Sequence, residues 1–359
     1  IVLKSNNSIE EYEFEDKNNL NFKNNIYLAT ISRVEPSLQA AFVNFGRDRH
    51  GFLAFNDIQS DYYQLPSDDK EKIRIAEEKI REELKEKTIE NNQENLQPDN
   101  LENKGENENQ IDKENEKQEY RDKVKSSFGI RRYKIQEVIK PGQVILIQVI
   151  KEERGQKGAA LTTFISLAGK YMVLMPNTPK GGGISRKIFN PADRKKIRTI
   201  LNEIEIPKEM GLIVRTAGAN KTKNEIDHDL QNLIKTWNSI KDNAINSIAP
   251  SLIHQESEII KRTLRDMYDE DTKNIIVEGN EGYKKAQTFM KMIMPSDVKK
   301  IKKYRDKIPL FFKENIEQKL NEIYDSEIKL KSGGYLVINP TEALVSIDVN
   351  SGSSIKQKN

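Results

Sequence analysis

Three segments of the sequence combine cations or aromatic rings with tight glycine turns. They are PSLQAAFVNFGRDRHGFLAF at 36–55, KEERGQKGAALTTFISLAGKYMVLMPN at 151–177 and GLIVRTAGANKTK at 211–223. A plain core strand needs no basic, glycine-broken turn, whereas a surface that grips a phosphate chain needs positive charge and close backbone approach. The three segments therefore indicate contact with a nucleic-acid backbone.

Aromatic residues stand beside cations in the first segment. Phe42, Phe45 and Phe52 lie in a β-rich region that also holds Arg33 and Arg47. Rings on a sheet face flanked by cations form a platform on which single-stranded bases stack, at about 1–3 kcal/mol per base. The alternative is that one or more rings belong to a barrel core, and the alternation of the sequence leaves both open.

Two further groups of residues suit phosphate. Lys151, Arg154 and Lys157 cluster on one turn, where cations can follow a phosphodiester backbone or simply form a solvated charge run. Arg215 and Thr216 end an apolar strand and precede a helix. An arginine fork, a hydroxyl and backbone N–H groups can hold a terminal phosphate, although ordinary strand-to-helix turns have similar sequences.

A carboxylate and an amide alternate on the last predicted strand, in SIDVNSG. Asp348 and Asn350 share one face of that strand and offer oxygen ligands of the kind that Mg²⁺ prefers. Bound magnesium could activate a water and neutralise charge on a phosphodiester. One carboxylate alone does not make a metal site, and Glu342, the nearest other acid, suits an ordinary surface role.

Composition excludes several classes of protein. The 359 residues are 36% hydrophobic and 32% charged, with a net charge of +3, and no run of about 20 apolar residues could span a membrane. The absence of cysteine excludes disulfides, thiolate metal sites and a cysteine nucleophile within the chain.

The pattern along the chain predicts several α+β modules. Five or so short strands between about 22 and 163 suggest a small barrel such as an OB-fold. A charged helix over 66–87 and a polar segment over 88–119, which we predict to be disordered, interrupt that module. Strand character resumes over 131–150, and an amphipathic helix follows at 224–247. We further predict a strand pair over 1–20, helices over 191–205, 256–269, 283–293 and 311–325, a strand at 273–277 and two final strands around Pro340.

Several long stretches resemble the ribonuclease E/G family of bacterial endoribonucleases. They are IYLATISRVEPSLQAAFVNFGRDRHGFL, KEERGQKGAALTTFISLAGKYMVLMPN, GGISRK, GLIVRTAG, LIHQES and PTEALVSIDVNSG, which occur in the family's order. The resemblance covers nearly the whole chain apart from 64–130.

The resemblance implies an α+β multidomain architecture. The expected parts are an OB-fold RNA-binding domain at 22–163 with a disordered insertion at about 64–130, a 5′-sensor at 164–260, an RNase H-like subdomain at 1–21 and 261–323, and the start of a DNase I-like catalytic subdomain at 324–359.

The resemblance also implies roles for particular residues. Phe42 and Phe52 match the family's base-stacking aromatics, and Lys151 and Lys157 match cations near the RNA path. The residues that match the 5′-phosphate pocket are Gly169, Val173, Arg186, Arg215 and Thr216.

For the catalytic site, the resemblance makes Asp348 an Mg²⁺ ligand and Asn350 its neighbour that assists at the scissile phosphate. The family's second metal-binding Asp and its two-cysteine Zn²⁺ motif are expected past Asn359, so neither is present in this chain. Asn339 stands where Asp is expected, and Phe45 where Tyr is familiar.

The function that the resemblance implies is Mg²⁺-dependent hydrolysis of single-stranded AU-rich RNA, with sensing of a 5′-monophosphate, in rRNA and tRNA processing and mRNA decay. The alternative is a non-catalytic RNA-binding fragment that lacks the second metal carboxylate, and we expect this stretch alone to be inactive or weak. We expect a cytoplasmic protein that forms a homo-oligomer, a tetramer in the family. Contacts with RNA-decay machinery and the inner membrane would use regions not present here.

Overall fold

A computed structural model gives the fold in two compact units, of which the larger comprises Glu15–Tyr268 and Thr288–Asp297 and the smaller comprises Ile1–Phe14, Asp269–Gln287 and Val298–Asn359. The residues that it describes are 1–5, 8–16, 21–66, 71, 75, 133–153, 157–178, 182–204, 207, 210–256 and 258–353. The helix predicted over 66–87 lies almost wholly outside these residues, and the disorder predicted over 88–119 lies wholly outside them.

Strands and helices alternate irregularly along the described residues. The strands are β1 (Val2–Ser5), β2 (Ser8–Tyr12), β3 (Ile26–Glu35), β4 (Ala40–Asn44), β5 (Gly51–Ala54), β6 (Val144–Lys151), β7 (Ala160–Thr162), β8 (Leu167–Ala168), β9 (Met172–Met175), β10 (Gly182–Ile184), β11 (Gly211–Val214), β12 (Ser251–His254), β13 (Ile275–Val277), β14 (Ile301–Lys303), β15 (Glu327–Lys329), β16 (Tyr335–Pro340) and β17 (Val345–Asn350). The helices are α1 (Ile135–Val138), α2 (Pro191–Glu203), α3 (Lys223–Ile245), α4 (Ile259–Asp266), α5 (Asn280–Ile293), α6 (Leu310–Lys313) and α7 (Ile316–Glu322). None of these helices combines the length and hydropathy needed to cross a bilayer.

A closed five-stranded barrel forms one part of the larger unit. Its strands pair in the order β3-β4-β5-β7-β6, and β6 pairs back onto β3. The β5–β7 pair is parallel and the other barrel pairs are antiparallel. This arrangement confirms the predicted α+β class and is consistent with an OB-like barrel.

The barrel interior is an apolar cluster to which every barrel strand contributes. Phe45 is 1% exposed and lies in this cluster, with its ring centroid 5.3 Å from that of Tyr27 and 6.3 Å from that of Phe22. Of the three phenylalanines considered as stacking residues, Phe45 is therefore part of the core.

The beginning and the end of the connection between β5 and β6 meet at one place on the barrel. The backbone N–H of Gln64 donates to the carbonyl of Val138 over 2.8 Å.

The strand predicted for the first part of 131–150 is wrong, because α1 occupies it. Glu137 accepts from the backbone N–H of Lys134, and buried Ile135 and Val138 lie one helical turn apart, so a capped turn outcompetes an extended strand.

Strand β3 also links the barrel to the rest of the larger unit. Its first residues pair with β12 on the edge that β4 uses further along the strand. A second sheet has the order β10-β11-β9-β8, and α3 packs on its buried face. Thr222 and Glu225 form a reciprocal capping box at the start of α3, and Asn190 caps α2 as predicted.

The described residues of the smaller unit form three separate sheets. β1 and β2 form the predicted hairpin, β13 and β14 pair in parallel, and β15-β16-β17 form an antiparallel sheet. The helix predicted over 311–325 is two short helices, α6 and α7, separated at Asn315, whose φ of 53° interrupts the helical backbone. Lys4 pairs with Glu314 at 2.9 Å.

The contact between Gly158 and the carbonyl of His50 yields a first prediction. A Cβ at Gly158 would overlap that backbone oxygen, which cannot swing aside as a flexible side chain would. We expect Gly158→Ala to lower the free energy of unfolding by about 1–3 kcal/mol in chemical denaturation. Gly183→Ala is the matched control, because the nearest atom to its added methyl would lie at an ordinary 3.5 Å. Equal effects of the two substitutions would contradict the prediction.

Candidate nucleic-acid interface

Phe42 and Phe52 lie opposite each other on the outer surface of the barrel. The two residues are paired in register across β4 and β5, and both rings are partly exposed, whereas their strand neighbours are buried. Their ring centroids are 6.1 Å apart with an interplanar angle of 75°, an edge-to-face contact. Because side chains alternate along a strand, the inward positions of neighbours such as Val43 and Leu53 place both rings outside the core.

The strand registers extend this pair into a row around the barrel. Arg33 is opposite Phe42, Phe52 is opposite Ala160, and Ala160 is opposite Lys151. The Arg33 guanidinium carbon lies 4.6 Å from the centroid of the Phe42 ring, a cation–π contact. We call Arg33, Phe42, Phe52, Ala160 and Lys151 the stacking row. Two cations thus flank two rings and a small residue.

Lys157 lies on the connection between β6 and β7, next to the stacking row. Its side chain is exposed, and Gly158 beside it allows the chain to pass close to His50. The structure thus places all four predicted RNA-binding residues on the barrel surface. Arg154, considered with them, lies outside the described residues.

The second sheet gathers the predicted phosphate-binding residues. Val173 pairs with Ala168 and Ile213 on the less buried face of this sheet. Because β10 and β11 are parallel, the segments that follow them begin at the same edge, so Arg186 and Arg215 leave the sheet on one side. Thr216 is exposed and begins a single 3₁₀ turn, Thr216–Gly218.

Two contacts hold the guanidinium of Arg215. One terminal nitrogen donates to the carbonyl of Gly169 over 2.8 Å, and the other donates to Asp266 Oδ1 over 2.6 Å. An arginine has five N–H donors, so these two contacts leave three for a ligand. The side chains of Arg215 and Asp266 are 31% and 32% exposed, so solvent reaches both.

A buried carboxylate fixes the turn that carries Gly169. Asp229, on α3, is 6% exposed and accepts from the backbone N–H groups of Lys170, Tyr171 and Met172 over 3.2, 2.9 and 3.2 Å. A Cβ at Gly169 would lie 2.6 Å from a carboxylate oxygen of Asp229, so this position requires glycine. Burial raises the pKa of Asp229 above its ordinary value, against the three backbone hydrogen bonds and the charge of Arg215.

A second arginine completes the support of this turn. Arg265, on α4, donates to the carbonyl of Ala168 over 3.3 Å and to Asp266 Oδ2 over 2.9 Å, and it pairs with Glu256. Glu256 follows β12, and its backbone N–H donates to the side chain of Asn25 beside β3. A chain of hydrogen bonds and ion pairs therefore runs from the barrel to Arg215.

Four residues of this network were not among the predicted site residues. The sequence could have indicated Asp229. It lies among Ile226, Leu230 and Leu233 on the apolar face of an amphipathic helix, where a carboxylate needs hydrogen-bond partners. The signals at Glu256, Arg265 and Asp266 were not distinguishable from ordinary surface charge.

The predicted catalytic residues lie in the smaller unit. Asp348 and Asn350 are on β17, and the amide of Asn350 donates to Asp348 Oδ2 over 3.2 Å. Asp348 is exposed, opposite Val337 of β16. In the part of the chain that the structure describes, no three His, Asp or Glu side chains are grouped to hold a metal ion.

An OB-like barrel with a stacking row, joined to a sheet that presents an arginine, is an arrangement that suits the binding of single-stranded nucleic acid. Comparison with known proteins makes the assignment specific. The sequence profile of the Ribonuclease E/G family matches residues 166–359, and the chain belongs to that family.

Relatives in the family cover the whole chain. It is 35% identical to Ribonuclease E of Haemophilus influenzae over 99% of this chain and 32% of the relative, and 36% identical to Ribonuclease E of Escherichia coli K12 over 99% and 28%. A Putative ribonuclease E of Buchnera aphidicola subsp. Baizongia pistaciae is 36% identical over 100% of this chain and 73% of the relative. The chain therefore spans about a third of the length of the first two relatives.

The contacts of Asp229 yield a prediction about the turn at 169–172. An asparagine offers one acceptor oxygen, so Asp229→Asn leaves at least one of three buried N–H groups facing an amide donor. We expect the free energy of unfolding to fall by about 1–3 kcal/mol in chemical denaturation. Asp242→Asn, exposed on the same helix, should change it by less than about 0.5 kcal/mol. If the free energy of unfolding of Asp229→Asn equalled that of the wild type, this account of the turn would be wrong.

Proposed function

We propose that this chain is the RNA-binding and 5′-end-sensing part of an Mg²⁺-dependent endoribonuclease that cuts single-stranded AU-rich RNA. The reaction is hydrolysis of a phosphodiester that leaves a 5′-phosphate and a 3′-hydroxyl. Membership of the ribonuclease E/G family and the printed names of the relatives support the class of reaction. The AU preference rests on the family resemblance alone.

The stacking row is the observation that carries the proposal. Partly exposed Phe42 and Phe52 present ring surface on a barrel face, where bases of an unpaired strand can stack without sequence-specific hydrogen bonds. Arg33 and Lys151 at the two ends of the row, with Lys157 beside it, are positioned for phosphates on either side. A base pair already stacked in a duplex cannot use such a platform, so the row favours single strands.

The edge of the second sheet suits a terminal phosphate. Arg215, with its remaining donors, and exposed Thr216 follow one another in the chain where β11 ends, and Arg186 leaves the neighbouring strand at the same edge. Fork-shaped arginine donors bind phosphate oxygens in pairs. Gly169 and Val173 shape this edge, Gly169 by accepting from Arg215 and Val173 through its place on the open face.

Asp348 is the proposed metal ligand. An exposed carboxylate fits Mg²⁺, which keeps several waters and uses one or two carboxylates in sites that act on phosphate. When bound, the ion supplies charge neutralisation and an activated water at the scissile bond. Asn350 donates to Asp348 and so orients its carboxylate. The zinc link and the tetramer known for the family remain predictions.

The stacking row predicts the effect of removing one ring. Phe52→Ala should weaken binding of a labelled ten-nucleotide single-stranded RNA by between about fivefold and about a hundredfold, the loss of one stacked base. Fluorescence anisotropy at low salt measures the affinity. Phe312→Ala removes an exposed ring from the smaller unit and should leave the affinity unchanged. Wild-type affinity in Phe52→Ala would remove the basis of the proposal.

A second prediction concerns the 5′ end. Wild-type protein should bind a 5′-monophosphorylated RNA more tightly than the same RNA with a 5′-hydroxyl, and Arg215→Ala should abolish that difference, because the fork is the main donor group at the sheet edge. Arg33→Ala is the control, since it should weaken binding of both RNAs to a similar extent. Retention of the 5′-phosphate preference in Arg215→Ala would refute sensing at this site.

A further inference from the structure

A carboxylate lies directly against the arginine that we propose as the phosphate ligand. Asp266 Oδ1 accepts from Arg215 over 2.6 Å and from Arg265 Nε over 3.2 Å, and Asp266 Oδ2 accepts from Arg265 Nη2 over 2.9 Å. This carboxylate holds the arginine in place and, by its negative charge, also repels an anion that approaches. The following inference rests on the proposed 5′-phosphate site.

Asp266 differs in its surroundings from the other acids of the network. Its side chain is 32% exposed, about as open as that of Arg215, whereas the side chains of Arg265 and Glu256 are 10% and 13% exposed. A ligand that uses the remaining donors of Arg215 therefore approaches Asp266 as well. The buried members fix the position of Asp266, and Asp266 itself is open to solvent.

The four side chains that the ion pairs around Asp266 join are balanced in charge. Arg215 and Arg265 contribute two positive charges, and Asp266 and Glu256 contribute two negative charges. Arg215, together with Arg186 at the same sheet edge, can neutralise the negative charge of one incoming phosphate group. Each additional phosphate adds charge that this network does not compensate, in a partly desolvated place where like charges repel more strongly than in water.

We propose that Asp266 is a specificity-determining residue that makes the site favour RNA ends with one phosphate over ends with three. Its carboxylate orients the guanidinium of Arg215 and also sets an upper limit on the negative charge that the site accepts. Bulk alone would not require an acid at this position.

The ionisation of Asp266 supports the proposal. Burial on its own would raise the pKa of Asp266, but hydrogen bonds and charge from Arg265, together with Arg215, outweigh burial and hold the pKa below the ordinary value of 3.8. The group therefore carries its full negative charge at neutral pH.

The test compares charge variants on three RNAs of one sequence, a ten-nucleotide single strand with a 5′-hydroxyl, a 5′-monophosphate or a 5′-triphosphate. Affinities are measured by anisotropy for the wild type, Asp266→Asn and Asp242→Asn. The Asp242 variant is the matched control, since it raises the net charge equally but changes an exposed residue of α3. Thermal unfolding verifies that each variant is folded.

The expected result is that Asp266→Asn strengthens triphosphate binding relative to monophosphate binding by about tenfold, with hydroxyl binding unchanged. The Asp242 variant should keep the wild-type ratio. A lower affinity for both phosphorylated RNAs with an unchanged ratio would mean that Asp266 only orients Arg215, and it would overturn the proposal. Should the wild type bind all three RNAs equally, the 5′-phosphate site itself would be wrong, which is a separate outcome.

Discussion

Strand β3 must find hydrogen-bond partners on both edges, and this requirement organises the larger unit. One edge pairs with β6 and closes the barrel, while the other is divided between β12 and β4. Barrel closure fixes which side chains point outward, and the β12 pairing brings Glu256 to the beginning of β3. A buried strand edge left unpaired would be costly, so both consequences follow from the same need for backbone pairing.

Charged side chains meet the backbone groups of the turn at 168–172. Two arginines take consecutive carbonyls, of Ala168 and Gly169, and one aspartate takes the next three N–H groups. Charge-assisted hydrogen bonds are shorter and stronger than neutral ones, which gives a short irregular segment the rigidity that a strand or helix would otherwise supply. The turn is therefore held in one conformation, and so is the guanidinium of Arg215, which donates to its Gly169 carbonyl.

The pattern of residues within short segments of the sequence was sufficient to predict part of this structure, but it could not predict the rest. The capped helix after Asn190, the amphipathic helix α3 and the β1–β2 hairpin all follow from spacing and capping residues nearby in the chain. The orientation of Phe42 depends on the register of β4 against its neighbours, which alternation alone leaves undecided. Contacts such as Arg215 with Asp266 join residues 51 positions apart, so no local pattern marks them.

The hydrogen bond between Gln64 and Val138 joins two residues of the connection between β5 and β6 that are far apart in the sequence. Because these two residues are neighbours in space, the number of residues between them does not alter the pairing of the barrel strands. The entropy cost of closing a loop also grows only slowly with its length. Evolution could lengthen, shorten or exchange this part of the chain while the stacking row kept its geometry. The same position offers a natural insertion point for a fluorescent reporter domain.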